Sequence, residues 1–136
     1  MEYQALIENV DFEKIVNTLK KSKINLVFED DIFLKFKNTS IFICDLTESL
    51  IYTYNFLKER NKLSSSDFLY NYFNEKNSYT SISFDQGDND EIEDDCLKTA
   101  HIICEFLFSF FNSNIYLCDS NDNVISKFSD KQSSSN

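Results

Sequence analysis

The feature that most constrains this chain is its near lack of the two residues that usually make turns. The 136 residues include one glycine, Gly87, and no proline. Asn, Asp and Ser must therefore form the turns, because their side chains hydrogen-bond to the nearby backbone. The P-loop and the Rossmann fingerprint both need several glycines, so nucleotide binding of these two kinds is excluded.

The rest of the composition predicts one folded domain. Hydrophobic residues make up 42% of the chain, and the aromatic residues are 14 Phe and 7 Tyr with no Trp. This is enough apolar material for one core, and the length fits one domain. We expect the domain to cover residues 1–128, followed by a polar, Ser-rich, disordered tail over 129–136.

Hydrophobic periodicity predicts a helix and a meander in the first third of the chain. Phe12, Ile15, Val16 and Leu19 have the spacing of an amphipathic helix, and residues 3–9 are expected to add a helical turn before it. Three short stretches then alternate with period two and are separated by breaks of hairpin length, which predicts an antiparallel meander. These stretches are 24–28, 32–36 and 41–43.

The remaining pattern predicts three more helices and three more strands. Asp45 and Glu48 have capping-box spacing before a helix that ends near Arg60, and a second amphipathic helix includes residues 68–73. Further along are a strand over 79–84, a long apolar helix over 91–112 and a hairpin of 115–118 with 124–128. The long helix is expected at the centre of the domain. The prediction is a single α+β domain, with helices packed on a largely antiparallel sheet, in the order α-βββ-α-α-β-α-ββ.

The cysteines and the N-terminal residues indicate a reducing compartment. Cys44, Cys96, Cys104 and Cys118 contain no CxxC pair, and each lies in or beside an apolar segment. We expect reduced core thiols. The first residues lack the basic and apolar regions of a signal peptide, and no apolar run is long enough to span a bilayer, so we expect a cytoplasmic protein.

The charge predicts which partners the protein accepts. The formal net charge is −10, which repels nucleic acid and anionic membranes and favours a basic protein. One segment, 85–95, is especially acidic and contains no basic residue. Helix capping explains part of it, and we expect the segment to contact the partner. Its acids are Asp85, Asp88, Asp90, Glu91, Glu93, Asp94 and Asp95. Glu29, Asp30 and Asp31, at a predicted hairpin tip, are a second candidate.

Catalysis is the less favoured interpretation. The single histidine, His101, lies three residues before Cys104 on the predicted long helix, so a Cys/His dyad is conceivable. Nothing nearby in the sequence supplies an oxyanion hole or a third orienting group, and we expect a core or boundary histidine beside a buried thiol. A nuclease site built from Asp30, Asp31, Lys35 and Lys37 is opposed by the net charge.

Metal binding is also disfavoured, and no cofactor is expected. Cys96, His101 and Cys104 could supply zinc ligands, but a five-residue step turns the first two to different faces of a helix. Residues 119–123 imitate the start of an EF-hand loop, yet Val124 stands where glycine is required. A hairpin turn explains them better.

In general character the chain resembles the immunity proteins of contact-dependent growth inhibition and other bacterial polymorphic toxin systems. The resemblance covers the whole chain. It rests on the small size, the acidity, a composition rich in Asn, Lys, Ile and Phe, and the lack of a recognisable set of catalytic residues. It implies a small α+β protein, a monomer or homodimer, that neutralises one cognate toxin, often a nuclease, by covering a basic active site. Two alternatives remain open: a type III secretion-type chaperone that binds an effector segment, and a small enzyme using His101 and Cys104.

Overall fold

The computed structural model describes residues 2–86 and 93–129, which form an α+β domain. In chain order the elements are β1 (Glu2–Glu8), α1 (Phe12–Lys20), β2 (Val27–Phe28), β3 (Phe33–Phe36), β4 (Thr39–Asp45), α2 (Thr47–Glu59), a 3₁₀ turn (Leu63–Ser65), α3 (Asp67–Asn71), β5 (Tyr79–Asp85), α4 (Glu93–Phe111), β6 (Ile115–Cys118) and β7 (Val124–Phe128). The predicted fold class is confirmed. None of the described helices combines the length and apolar character needed to cross a membrane.

The strands form one seven-stranded sheet in the order β2-β3-β4-β5-β1-β6-β7. Every pairing between neighbours is antiparallel, and the meander β2-β3-β4 and the hairpin β6-β7 are both confirmed. The N-terminal strand β1 lies inside the sheet, between β5 and β6. The first strand of the described chain is therefore an interior strand, whereas the last strand, β7, lies at an edge of the sheet.

The prediction of a helical turn over residues 3–9 is wrong, because these residues form β1. Ala5 and Ile7 are buried on one face of the sheet, while Leu6 and Glu8 are buried on the other. A strand that is covered on both faces has no alternation of apolar and polar residues, so its period-two signal disappears. Asn9 ends the strand with a positive φ of 60°, a conformation that Asn tolerates better than most residues.

The larger core lies between the first face of the sheet and the helices α1 and α4. It includes Ile7, Ile41 and Ile82 from the sheet, with Ile15 from α1 and Ile103 from α4. The expectation that the long helix is enclosed on all sides is corrected. Ile102 is 45% exposed and Phe110 64% exposed. The helices α2 and α3 pack on the other face of the sheet, so α4 forms an outer layer.

The second face of the sheet is covered in part. Phe68 and Leu69 of α3 pack with Leu6, Tyr79 and Tyr116, and α2 adds half-buried side chains. The strand register places Phe33, Ser40 and Phe42 on this same face of β3 and β4. Ser40 is exposed and Phe33 is 44% exposed, so this part of the face is open to solvent.

A buried carboxylate connects β1 to both of its neighbouring strands. Glu8, at the end of β1, is 7% exposed. Its Oε2 accepts hydrogen bonds from the Asn77 side chain at 2.9 Å and the Tyr79 hydroxyl at 3.1 Å. Its Oε1 accepts from the Asn114 side chain at 2.8 Å and, at a longer 3.5 Å, from the Tyr116 hydroxyl. Four donors thus compensate the burial of one charge.

Candidate binding surface

The acidic segment that was predicted to contact a partner is only partly described. Asp85 is exposed at the end of β5. Asp88, Asp90 and Glu91 lie outside the described residues. Glu93, Asp94 and Asp95 form the start of α4, where acidic residues favour the positive end of the helix dipole. Their role in binding stays a prediction.

A second concentration of acids surrounds an open cavity between the start of α1 and the end of β4. This cavity, the acidic groove, has a volume of about 610 Å³. Its lining combines apolar side chains with three carboxylates, two at the start of α1 and one at the end of β4. The lining residues are Asp11, Phe12, Glu13, Ile32, Phe42, Ile43, Cys44 and Asp45.

The acidic groove exists because β4 extends beyond the start of β3. The backbone N–H of Ile43 donates to the carbonyl of Ile32 at 3.0 Å, just before β3 begins at Phe33. Beyond this point Cys44 and Asp45 continue to pair with β5. The Asp45 carboxylate accepts from the N–H of Thr47 at 2.9 Å, which holds it at the junction of β4 and α2.

A smaller cavity, the sheet pocket, lies on the open part of the second face and shares Phe42 with the acidic groove. Its volume is about 320 Å³. Glu2 and Asp85 are direct cross-strand neighbours, and Asp85 is in turn opposite Ser40. The rings of Phe33 and Phe42 lie 4.8 Å apart between centroids. The lining residues are Glu2, Phe33, Ser40, Ile41, Phe42, Ser83 and Asp85.

The two cavities share Phe42, and together they are called the acidic aromatic surface. Their linings contain five carboxylates and three phenylalanine rings. The carboxylates belong to Glu2, Asp11, Glu13, Asp45 and Asp85, and no Lys or Arg is among the described lining residues. Aromatic faces attract Lys and Arg side chains, and carboxylates bind the same cations. This arrangement can therefore receive cationic side chains of a protein partner.

Sequence reasoning identified only Asp85 of these five acids. The other four are spread over β1, α1 and β4, and none lies in a run of acids. The available signal was in the apolar residues: Phe33 and Phe42 interrupt the alternation of the meander strands on the face opposite Leu34 and Ile41. A pair of Phe rings on the open part of a sheet face is typical of an interaction surface.

The second predicted contact region, at the tip of the β2-β3 hairpin, is engaged within the domain. Asp30 accepts hydrogen bonds from the N–H groups of Ile32 and Phe33, at 2.8 and 2.9 Å. Asp31 forms an ion pair with Lys20 at 2.7 Å. These acids shape and anchor the hairpin.

The residues of the conceivable nuclease site do not converge. Lys35 pairs with Glu29 at 3.4 Å, whereas Asp31 pairs with Lys20. The ammonium group of Lys37 lies over the ring of Phe36, 5.4 Å from its centroid. Each of the two lysines and two acids therefore contacts a different partner, and they do not form one site.

His101 and Cys104 differ in their surroundings in a way that does not suit a nucleophilic pair. The His101 ring is half-buried and makes an edge contact with Phe128, with centroids 5.9 Å apart. Cys104 is 1% exposed, and burial raises the pKa of its thiol far above the ordinary value. A nucleophilic cysteine needs the opposite shift, toward the thiolate.

The described residues provide no cluster of three or more His, Cys, Asp or Glu side chains that could hold a metal ion. The calcium-like sequence at 119–123 is the turn of the β6-β7 hairpin. Oδ1 of Asp119 accepts hydrogen bonds from the N–H groups of Asn121 and Asn123, at 2.9 and 3.0 Å. Its carboxylate is thus occupied by the turn that the sequence predicted.

No family model, no curated protein and no solved structure matches this chain.

Proposed function

We propose that this protein is a binding protein that neutralises a cognate bacterial toxin with a basic surface, in the manner of the immunity proteins that its sequence resembles. The observation that carries the proposal is the acidic aromatic surface, two cavities that share Phe42. Their described lining residues include five carboxylates and no lysine or arginine. The overall charge of −10 has the same sign as this surface.

Such a surface favours both fast association and strong binding of a basic partner. A concentrated negative potential steers a basic partner and raises the association rate by ~10- to 10³-fold. Aromatic residues and arginine pairs are the usual sources of strong contacts at the centre of an interface. Surfaces rich in Lys and Arg are typical of enzymes that bind nucleic acid, so covering such a surface would block the substrate.

The acidic segment extends this surface in the proposal. Asp85 lines the sheet pocket, and the remaining acids of 85–95 follow it directly in the chain. We assign to them an auxiliary role in attracting the partner, while the acidic groove and the sheet pocket form the contact itself.

The first experiment places a photo-crosslinking amino acid at Phe42 and, as the control, at Tyr52. Tyr52 is 71% exposed on α2, outside both cavities. The tagged variants are irradiated in the native organism, and the captured partner is then purified and assayed alone. Crosslinking of one basic toxin domain from Phe42 but not from Tyr52, followed by inhibition of its activity by the pure protein, supports the proposal. Crosslinking from Tyr52 alone contradicts it.

The second experiment measures the association rate of that partner with charge-reversed variants at low salt. The triple variant Asp11→Lys, Glu13→Lys, Asp45→Lys is expected to slow association by about tenfold or more. The control variant Glu59→Lys, Glu75→Lys, Glu105→Lys makes the same charge change at exposed acids elsewhere. Equal slowing by both variants would show that net charge alone attracts the partner, and the proposed surface would then be wrong.

The same measurements separate the alternative functions. A chaperone would capture a secreted effector through an extended segment and would be a dimer. An enzyme would lose activity on substitution of His101, a change that leaves toxin binding intact.

The variant Asp88→Lys, Asp90→Lys, Glu91→Lys tests the auxiliary role of the acidic segment in the same association-rate assay.

A further inference from the structure

A third cavity, here called the basic groove, lies at the opposite end of α1 from the acidic groove. It has a volume of about 580 Å³ and is formed by the last turn of α1, the residues that follow it and the second half of α4. The lining residues are Asn17, Thr18, Lys21, Ser22, Lys23, Ile24, Phe106 and Phe110. It shares no residue with the acidic aromatic surface.

Its chemistry is the reverse of the acidic groove. Phe106 and Phe110 provide an aromatic wall, with ring centroids 6.5 Å apart, and Ile24 adds an aliphatic side. Phe110 is 64% exposed. Lys21 and Lys23 supply the only charges among the described lining residues. A protein with a net charge of −10 thus carries an apolar cavity whose charged groups are cationic.

Backbone carbonyls at the end of α1, close to these two lysines, are hydrogen-bonded within the chain. The last carbonyls of a helix carry partial negative charge when nothing satisfies them. Here the carbonyl of Asn17 accepts from the N–H of Lys21 at 3.2 Å. The carbonyl of Leu19 accepts from the Ser22 N–H at 3.2 Å and the Ser22 hydroxyl at 2.7 Å. These bonds reduce the partial negative charge that the end of α1 presents near the two lysines.

We propose that the basic groove binds an amphiphilic monoanion, a medium-chain or aryl carboxylate. Its apolar body would lie against Phe106 and Phe110, and its carboxylate would pair with Lys21 and Lys23. Sites for small molecules are typically ~300–1,000 Å³, mostly apolar, with a few polar groups that fix orientation. The basic groove meets each of these conditions. This inference is independent of the proposed toxin binding, because it uses a different surface.

The dimensions favour a small molecule over an amphipathic helix. Phe106 and Phe110 are one turn apart on α4, which corresponds to about 6 Å along the helix axis. A helix that docks in a groove uses anchors from position i to i+7, a span of about 10 Å. The aromatic wall is too short for that set of anchors.

Charge disfavours a second copy of the chain as the occupant. A twofold contact through this groove would bring the same patch of both copies together, which places four lysines in one interface that has no acidic lining residue. The net charge of each copy adds a further repulsion.

The test is an NMR titration of the ¹⁵N-labelled protein with decanoate, kept below its micellar concentration. Decyltrimethylammonium, with the same tail and a positive head, is the matched ligand control. The variant Lys21→Glu, Lys23→Glu tests the head-group contact and Phe110→Ala the apolar contact. The variant Lys62→Glu, Lys76→Glu changes the same charge at two exposed lysines elsewhere.

Saturable shifts confined to the amides of the basic groove are expected with decanoate and not with the cationic ligand. The double reversal at Lys21 and Lys23 should weaken binding by about tenfold or more, equivalent to at least ~1.4 kcal/mol. The control variant should leave it unchanged. Equal binding of both amphiphiles, shifts spread over the whole protein, or a dimer that Phe110→Ala dissociates in sedimentation would each overturn the proposal.

Discussion

The hydroxyl of Tyr79 donates a hydrogen bond to the carboxylate of Glu8 at 3.1 Å, although 71 residues separate the two in the chain. The same hydroxyl accepts from the N–H of Asn74 at 2.9 Å. Tyr79 is 1% exposed, so these bonds form in a region that water scarcely reaches. Glu8 and Tyr79 therefore connect β1 to β5 and to the loop before β5.

Replacing Glu8 with Gln should destabilise the protein by about 2–4 kcal/mol. A carboxylate can accept from every donor around it, whereas one end of an amide is itself a donor and would face Asn77 or Asn114. Urea unfolding of the purified variant measures the loss. Glu59→Gln, at an exposed position, is the control and should change stability by less than about 0.5 kcal/mol. A loss at Glu8 no larger than at Glu59 would contradict the interpretation.

Stability should fall at alkaline pH because of Tyr79. Burial raises the pKa of Tyr79 to about 12, and the Glu8 carboxylate adds to the rise. Unfolded tyrosine titrates near 10, so the folded state retains its proton longer than the unfolded state. The resulting stabilisation is complete below pH 10 and is lost between pH 10 and about 12.

The measurement is the free energy of unfolding at several alkaline pH values. Tyr79→Phe should lower stability at neutral pH by about 1–3 kcal/mol and make the alkaline loss shallower. Burial also raises the pKa of Tyr116, so part of the alkaline loss should remain in this variant. Tyr52→Phe should leave the pH profile unchanged.

Cys44 should be the one cysteine that reacts with iodoacetamide in the folded protein. It is half-buried, whereas Cys96, Cys104 and Cys118 are at most 1% exposed. Burial also raises the pKa of these three thiols, that of Cys118 to about 12. Intact-mass analysis at pH 8 should show a single added group, and Cys44→Ser should abolish it. Two or more groups in the folded protein would contradict the described core.

Because Cys44 lines the acidic groove, its alkylation also reports on binding. A partner that occupies the groove should slow labelling of Cys44. Labelling at an unchanged rate in a saturated complex would show that the partner binds elsewhere.

The phenylalanine pair of the acidic aromatic surface should contribute more to binding than to stability. Phe33→Ala with Phe42→Ala removes a contact between an exposed ring and a half-buried ring, so the loss of stability should stay near 1–2 kcal/mol. Loss of affinity for the captured partner should exceed about 2 kcal/mol, the range of interface hot spots. The stacked pair Tyr52 and Phe56, on the surface of α2, is the matched control. Calorimetric titration compares the two double variants.

Most of the fold could be predicted from the sequence, since amphipathic helices and half-buried strands carry clear periodic signals. The helix at Phe12–Lys20 and the terminal hairpin are examples. The interior strand Glu2–Glu8 could not be predicted in this way. Its apolar side chains point to both faces, and its buried Glu8 looks like a polar boundary residue. Only the tertiary contacts explain why a carboxylate belongs there.

The candidate site was harder to predict, because it is an arrangement in space. The acidic segment 85–95 is evident from the sequence since its acids are consecutive. The acidic groove combines Asp11 with Asp45, which lie on different elements and meet only when β4 extends beyond β3. Acids that are consecutive in the sequence are easy to recognise. Acids that come together only in the folded structure are not.

The position of β1 has a consequence for how the protein is made. Its partners in the sheet begin 71 residues later, at Tyr79, and extend to Cys118 near the other end of the described chain. A ribosome therefore releases the first strand long before either neighbour exists, and the sheet cannot close until β6 emerges. Pairings over such distances in sequence form slowly. For a protein proposed to neutralise a toxin, protection would begin only after β6 has been synthesised.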